Sequence, residues 1–178
     1  MLAGRAVVLV TSVDRPLSPG IEVVRAETVE DFRAEVVPRA PHADVVIQSA
    51  AMSDFRPKAP SDRKIKKEEG PPEILLEPTH DFSVDLGRAK HDGQTLVGFA
   101  AETDDLVANA VRKLERKGLD LIVANDVSAP GVGFDHDTNA ALIIGVDHVH
   151  QDVPLSDKRV VARAVLDAVL RTRDRSTT

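Results

Sequence analysis

Asp44-Val45-Val46-Ile47-Gln48-Ser49-Ala50-Ala51-Met52-Ser53-Asp54-Phe55-Arg56-Pro57 is the stretch from which the fold class is read. Asp44 to Ser49 fits a buried strand around a short apolar run. Small residues follow, then an acid, then a Pro-punctuated loop carrying Lys64-Ile65-Lys66-Lys67. This is how a strand ends in a ligand-binding turn. Small side chains let a ligand approach the backbone, and lysines supply charge for phosphate. In open α/β sheets, ligands bind beyond the carboxyl ends of the strands.

Upstream, Arg5 to Thr11 is a continuous apolar run, read as a strand buried on both faces. It leads into a turn-rich loop without a phosphate-binding fingerprint. Ile21 to Arg25 reads as a second strand. Thr28 with Asp31 reads as a helix start, with the helix ending near Val37 before Pro38. Downstream, Lys58 to Pro72 has no period and is expected to be loop, and Ile74 to Leu76 a short strand. A helix is expected over 81–90 with Phe82, Leu86 and Ala89 inward. Thr95 to Ala100 is a buried strand ending in small residues. A helix follows over 103–117, its acidic start at Thr103 to Asp105 suiting the positive end of the helix dipole. Leu106, Val107, Ala110, Val111 and Leu114 form its apolar stripe, and Gly118 ends it. Lys113 and Lys117, four apart, share a face.

Leu119 to Asn125 is the next strand, and Ser128 to Asp137 a loop. Ala140 to Val146 and roughly Val149 to Val153 pair around Asp147-His148. Ser156 is expected to cap a final helix with Val160, Val161, Ala164, Val165, Ala168 and Val169 on one side. Residues 171–178 read as a frayed polar tail. Strands alternating with helices predict an α/β, Rossmann-like, doubly wound and mostly parallel sheet with helices on both faces, in one domain over 1–178. Three strands end alike, at Ser49-Ala50, Ala100-Ala101 and Ala124-Asn125. On one sheet edge these ends outline a crevice.

Composition narrows the function. The net charge is −6, and with no Tyr or Trp base-stacking platforms are scarce, so no nucleic-acid partner is expected. With only five Phe, the core must be aliphatic. The absence of cysteine removes disulfides, thiolate metal sites and a cysteine nucleophile, and fits a reducing cytoplasm. No apolar run reaches the ~18 residues of a membrane span, so no membrane role is expected. His80, His136, His148 and His150 lack metal-ligand spacing, and Ser49 and Ser53 lack a triad partner.

Four strings, in order and spacing, carry a family resemblance: Ala50 to Pro57, Lys64 to Lys67, Val97-Gly98-Phe99-Ala100-Ala101-Glu102-Thr103, and Ala124-Asn125-Asp126-Val127, the last followed by Gly133-Phe134 and Asn139. Together they resemble phosphopantothenate–cysteine ligase, also called phosphopantothenoylcysteine synthetase, of coenzyme A biosynthesis. The resemblance implies that the carboxylate of 4′-phosphopantothenate attacks the α-phosphate of CTP, releasing pyrophosphate and forming an acyl-cytidylate. L-cysteine then attacks that anhydride and CMP leaves. It also implies Mg²⁺ and a homodimer, the loop around the lysine motif reaching the other subunit.

Carried over by matching position, the resemblance assigns CTP binding to Ser49, Ala50, Asp54, Lys64, His80, Asp81, Phe82, Ser83, Phe99, Lys113 and Lys117. Lys64 takes the catalytic role, and Asn125 and Asp126 are possible pocket residues; metal ligands stay unassigned. His80 stands where the family usually has proline. The family's Gly-Gly-Thr phosphate loop does not occur here, so the resemblance implies an N-terminally truncated domain lacking the first strand–loop–helix unit. A non-catalytic nucleotide-binding or dimerisation module is the alternative. Each residue also has a plainer role: lysines as solvated charge, Phe99 as core, Asp54 as a turn residue, Asn125 as a strand-end partner for backbone. Asp54 is read as meeting ribose, base or Mg²⁺.

Overall fold

The computed structural model describes residues 6–14, 17–133, 136–147 and 150–176. The expectations that involve Phe134 and His148 lie outside them. The element order is β1 (Val7–Thr11), β2 (Ile21–Arg25), α1 (Val29–Arg39), β3 (Val45–Gln48), β4 (Phe55–Pro57), β5 (Leu76–Pro78), α2 (Phe82–Ala89), β6 (Thr95–Glu102), α3 (Leu106–Lys117), β7 (Leu121–Asp126), β8 (Thr138–Gly145), β9 (His150–Asp157) and α4 (Lys158–Ser176). By internal contacts the chain forms two compact units, residues 1–35 with 51–82, and residues 36–50 with 83–178.

In the first unit, β1 and β2 form a parallel pair with Val7 opposite Ile21. The expectation that this first strand is buried on both faces is corrected: Val7 is 52% exposed and Val8 41%, because among the described residues no helix packs substantially over the β1–β2 pair. Helix α1 opens on a reciprocal capping box. Asp31 N–H donates to Thr28 Oγ1 at 3.1 Å, and Thr28 N–H donates to Asp31 Oδ2 at 2.9 Å. These bonds hold the Asp31 carboxyl below its ordinary range, the Thr28 backbone N–H being the largest cause. The helix passes Pro38 and stops at Arg39 rather than near Val37. So late in the helix, the missing proline N–H forfeits a single intrahelical bond, and a 3-10 turn over Ala40–His42 takes over. Residues 55–57, expected as loop, form β4 and pair antiparallel with β5, Phe55 opposite Pro78. That pairing places the second strand at 76–78, later than the expected 74–76.

The second unit holds a five-stranded sheet in the order β3-β6-β7-β8-β9. β3, β6 and β7 are parallel, and β7, β8 and β9 are antiparallel neighbours. Strand alternation divides the core in two. Val97, Leu121, Val123, Ala141, Ile143 and Val153 pack with Val161, Val165, Ala168 and Val169 of α4. Leu96, Ile122, Ala124, Leu142 and Ile144 are buried on the alternate positions, and α3 packs on β6 and β7 through its buried Ala110 and Leu114. Helices thus cover both faces, as the strand–helix alternation predicts.

Three inward assignments are corrected. Val107 is 40% exposed and Val160 53% exposed, and Ala89 is exposed at the end of α2; each lies off its helix's buried stripe. Helix α4 is capped by Asp157, whose Oδ1 accepts Arg159 N–H at 2.7 Å, and not by Ser156. The expected frayed tail is helical through Ser176. Its arginines hold it: Arg171 bonds Gln151, Arg173 donates to the carbonyls of Asp44 and Gly93 at 2.8 Å, and Arg175 pairs with Asp147 at 2.7 Å. Among the described residues, no helix is long and apolar enough to cross a membrane.

Candidate functional site

Because β3, β6 and β7 are parallel neighbours, their carboxyl ends share one edge of the sheet. Gln48 is level with Gly98, while Ala101 faces Asn125 and Glu102 faces Asp126. The edge is therefore stepped. β3 stops four residues short of the end of β6, leaving Ser49 and Ala50 exposed at the step. Phe99 lies on β6 beyond that step and is 38% exposed, although its neighbours Gly98 and Ala100 are buried. A half-exposed aromatic on an otherwise buried strand offers an apolar wall to a planar ligand.

Helix α3 brings positive charge to the same edge. It starts at Leu106, three residues beyond the expected start, so Asp104 and Asp105 precede it rather than fill its first turn. Asp105 takes a left-handed conformation, φ 43°, and makes no side-chain cap. The first N–H groups of α3 are thus left without an acidic side-chain cap, an arrangement suited to an anion. Lys113 reaches back to the strand end, its Nζ 2.6 Å from Glu102 Oε1. Lys117 lies one turn, ~6 Å, further from that edge, where Gly118 closes α3. There Leu119 N–H bonds the Leu114 carbonyl at 3.0 Å and Gly118 N–H that of Glu115 at 3.2 Å, a Schellman ending at φ 61°.

The strand-end residues are held in place by their own contacts. Asp126 Oδ1 accepts the Ser128 hydroxyl at 2.5 Å and its N–H at 2.9 Å. The Ser128 hydroxyl is the main cause that keeps this carboxyl below its usual range, so Asp126 is ionised at neutral pH. Asn125 is half-buried beside it. Ser83, assigned to nucleotide contact by resemblance, is 6% exposed, and its hydroxyl donates to Gln48 Oε1 at 2.9 Å. It anchors the last residue of β3 and presents no free hydroxyl to solvent.

The first unit carries the other assigned residues. Asp54 is exposed, and its carbonyl accepts Thr79 N–H at 2.9 Å. The Thr79 hydroxyl bonds the Ser53 carbonyl. Asp54 and His80, 26 positions apart in sequence, are therefore neighbours across the β4–β5 ribbon. Arg56 on that ribbon donates to Glu77 at 2.8 Å and also bonds Glu30. Lys64 is exposed on irregular chain ahead of a 3-10 turn at Lys67–Glu69. Asp81 is half-buried, and Phe82 is 1% exposed, which makes Phe82 core.

Sequence reasoning missed Glu102, Asn109 and Gln48. Glu102 was visible as part of a family string, but its role needs the conformation of the β6–α3 loop. A cavity of about 230 Å³ lined by Leu121, Gly145, Asp147, Arg171 and Arg175 lies at the opposite edge, since Leu121 opens β7. Asp147 and Gln151 occupy its two arginines. Among the described residues no group of three or more His, Cys, Asp or Glu is arranged to hold a metal ion.

The model of a protein family described as the DNA/pantothenate metabolism flavoprotein C-terminal domain matches residues 1–172. A protein named cysteine/cysteine sulfinic acid decarboxylase, from an unknown prokaryotic organism, is 40% identical over 156 residues, covering 88% of this chain and 44% of that protein. The coenzyme A biosynthesis bifunctional protein CoaBC of Bacillus subtilis is 39% identical over 169 residues, covering 93% of this chain and 41% of that protein. The chain thus spans under half the length of these two relatives. A crystal structure of the C-terminal domain of a CoaBC protein superposes with TM-score 0.72 at 33% identity, covering 92% of this chain and 72% of that one.

Proposed function

The chain belongs to the family of the DNA/pantothenate metabolism flavoprotein C-terminal domain, and from that premise we propose that it forms the nucleotide pocket of a phosphopantothenate–cysteine ligase. The reaction is CTP-dependent ligation of 4′-phosphopantothenate with L-cysteine through an acyl-cytidylate. One observation carries this reading: the carboxyl ends of three parallel strands meet the N-terminus of α3, with Lys113 turned onto the edge. The 33% identity to a CoaBC C-terminal domain supports it independently.

In this reading the positive start of α3 and Lys113 receive the triphosphate. Developing charge on phosphoryl oxygens is stabilised most by donors already in place. Phe99 walls the base, and Asn125 offers an amide edge for hydrogen bonding. Ser49 and Ala50 border the same edge, while Lys64, Asp54, His80 and Asp81 of the first unit are assigned to the nucleotide by the family resemblance alone. Ser83 and Phe82 act as framework. The carboxylate oxygen of phosphopantothenate bonds to the α-phosphorus as pyrophosphate leaves. The cysteine amine then bonds to the acyl carbon, loses its proton, and CMP departs. Mg²⁺ fits best as a companion of the triphosphate. One carboxylate such as Asp54 or Asp126 would help to hold it, and with phosphate and water as its other ligands it would need no protein cage. When bound it neutralises phosphate charge.

The exposed Phe55, Ile74, Leu75 and Leu76, each at least 58% exposed, support a homodimer as part of this reading. Sedimentation should give a mass twice the 19.2 kDa of the chain, and a monomer at micromolar concentration removes that part.

The test is CTP-dependent pyrophosphate release with phosphopantothenate, cysteine and Mg²⁺, run beside an assay for CO₂ release from cysteine. Pyrophosphate release supports the ligase. CTP binding without release leaves a binding module, and cysteine decarboxylation without either overturns the proposal. Lys64→Ala should lower CTP affinity or rate by about tenfold, and Lys67→Ala by much less; equal, negligible effects leave the loop as solvated charge.

A further inference from the structure

Lys113, the cation best placed for phosphate in the second unit, already has an anion. We propose that Glu102 is a built-in counter-ion and positioning residue for Lys113: it holds the ammonium at the sheet edge until a ligand phosphate displaces it. The inference rests on the nucleotide reading above.

Glu102 is pinned and Lys113 is not. The Glu102 side chain is 12% exposed, that of Lys113 39%. Its backbone is the last rung of β6, level with Asp126, and its carbonyl accepts Val127 N–H at 3.2 Å. One carboxylate oxygen takes Lys113 Nζ at 2.6 Å and the other takes Asn109 Nδ2 at 3.2 Å. Asn109 is itself fixed. Its Nδ2 also donates to the Asp104 carbonyl at 2.7 Å, its N–H to the Asp105 carbonyl at 2.9 Å, and its Oδ1 accepts from Arg112. The carboxylate therefore stays, and the four-carbon lysine stem is what moves. Asp104 and Asp126 flank the same edge, and Arg112 is held by Asn109.

An ion pair with one partner this exposed is weakly held, so a polyphosphate carrying several charges takes the ammonium from it. The arrangement has two consequences. Lys113 is aimed at the strand ends before ligand arrives, and the carboxylate left behind opposes the anion. Glu102 thus lowers affinity while it sets orientation, and the bound nucleotide is released more easily.

The experiment is calorimetry with CTP and, separately, with inorganic tripolyphosphate, on the wild type, Glu102→Gln, Lys113→Met and the double variant. Glu102→Gln should tighten both ligands about fivefold when Lys113 is present and leave them unchanged beside Lys113→Met. Weaker binding in Glu102→Gln, or an equal gain without Lys113, overturns the inference. A second measurement needs no variant. The ¹⁵N resonance of the Lys113 ammonium should be that of an ordered, ion-paired group in the free protein and should shift on adding tripolyphosphate. An unordered ammonium, or one that tripolyphosphate does not move, overturns it equally. Tripolyphosphate displacement without CTP binding would refute the nucleotide reading and keep the counter-ion. CTP binding that leaves the Lys113 signal in place would do the reverse.

Discussion

Under the proposed function, Lys113 serves the ligand and Asp120 the framework. On that reading, replacing Lys113 by alanine would remove a charge-assisted contact to phosphate worth about 1.5–3 kcal/mol. CTP affinity should fall at least about tenfold by calorimetry, with the unfolding midpoint changed little. Asp120 works on stability. Its Oδ2 accepts Leu96 N–H at 2.7 Å and its Oδ1 pairs with Lys90 Nζ at 2.7 Å. Asp120→Ala strips both donors of their partner, at a cost of about 2–3 kcal/mol, read as a lower urea midpoint. The lysine face of α3 was legible in the sequence because helical period alone sets it. The partner of Lys113 was not, because Glu102 is set against Lys113 and Asn109 through the left-handed turn at Asp105, which no local pattern announces.

At the scale of elements, Gly87 is a position where two helices meet closely. A Cβ there would lie 1.9 Å from the Lys117 carbonyl oxygen, so α2 admits the end of α3 only because residue 87 is glycine. Gly87→Ala should cost about 1–3 kcal/mol by thermal unfolding, and should disturb the Schellman ending beside Lys117. The capping box of α1 gives a pH prediction. The folded Asp31 carboxyl titrates below its unfolded value near ~3.9. The stability it contributes is fully present above that value and lost as pH falls through the lower folded one. Asp31→Asn should therefore flatten the acid limb of the stability curve below about pH 4; an unchanged limb refutes the box as its cause. Thr28 and Asp31 were readable because capping is local. The end of α4 was not, since Arg171, Arg173 and Arg175 look like a polar tail until the sheet supplies Gln151, Asp44, Gly93 and Asp147. The β4–β5 ribbon escaped for a similar reason. Phe55-Arg56-Pro57 has no strand period, and its ladder depends on a partner about twenty positions away.

At the scale of the molecule, the proposed function turns on which strand ends share an edge. Small or amide residues after three apolar runs pointed to that edge, and the order β3-β6-β7 with parallel pairing brings those runs together. The step between Gln48 and Glu102, and the start of α3 at Leu106, then mark where the proposed function seats a triphosphate. The most direct measurement is a CTP titration of the ¹⁵N amide spectrum in the presence of Mg²⁺. If the carboxyl edge is the nucleotide seat, amides of Ala101 to Thr103, Leu106 to Ala108 and Asn125 to Val127 shift first and furthest. Shifts concentrated instead at Leu121, Gly145, Arg171 and Arg175, on the opposite edge, or no shifts at saturating CTP, would contradict it.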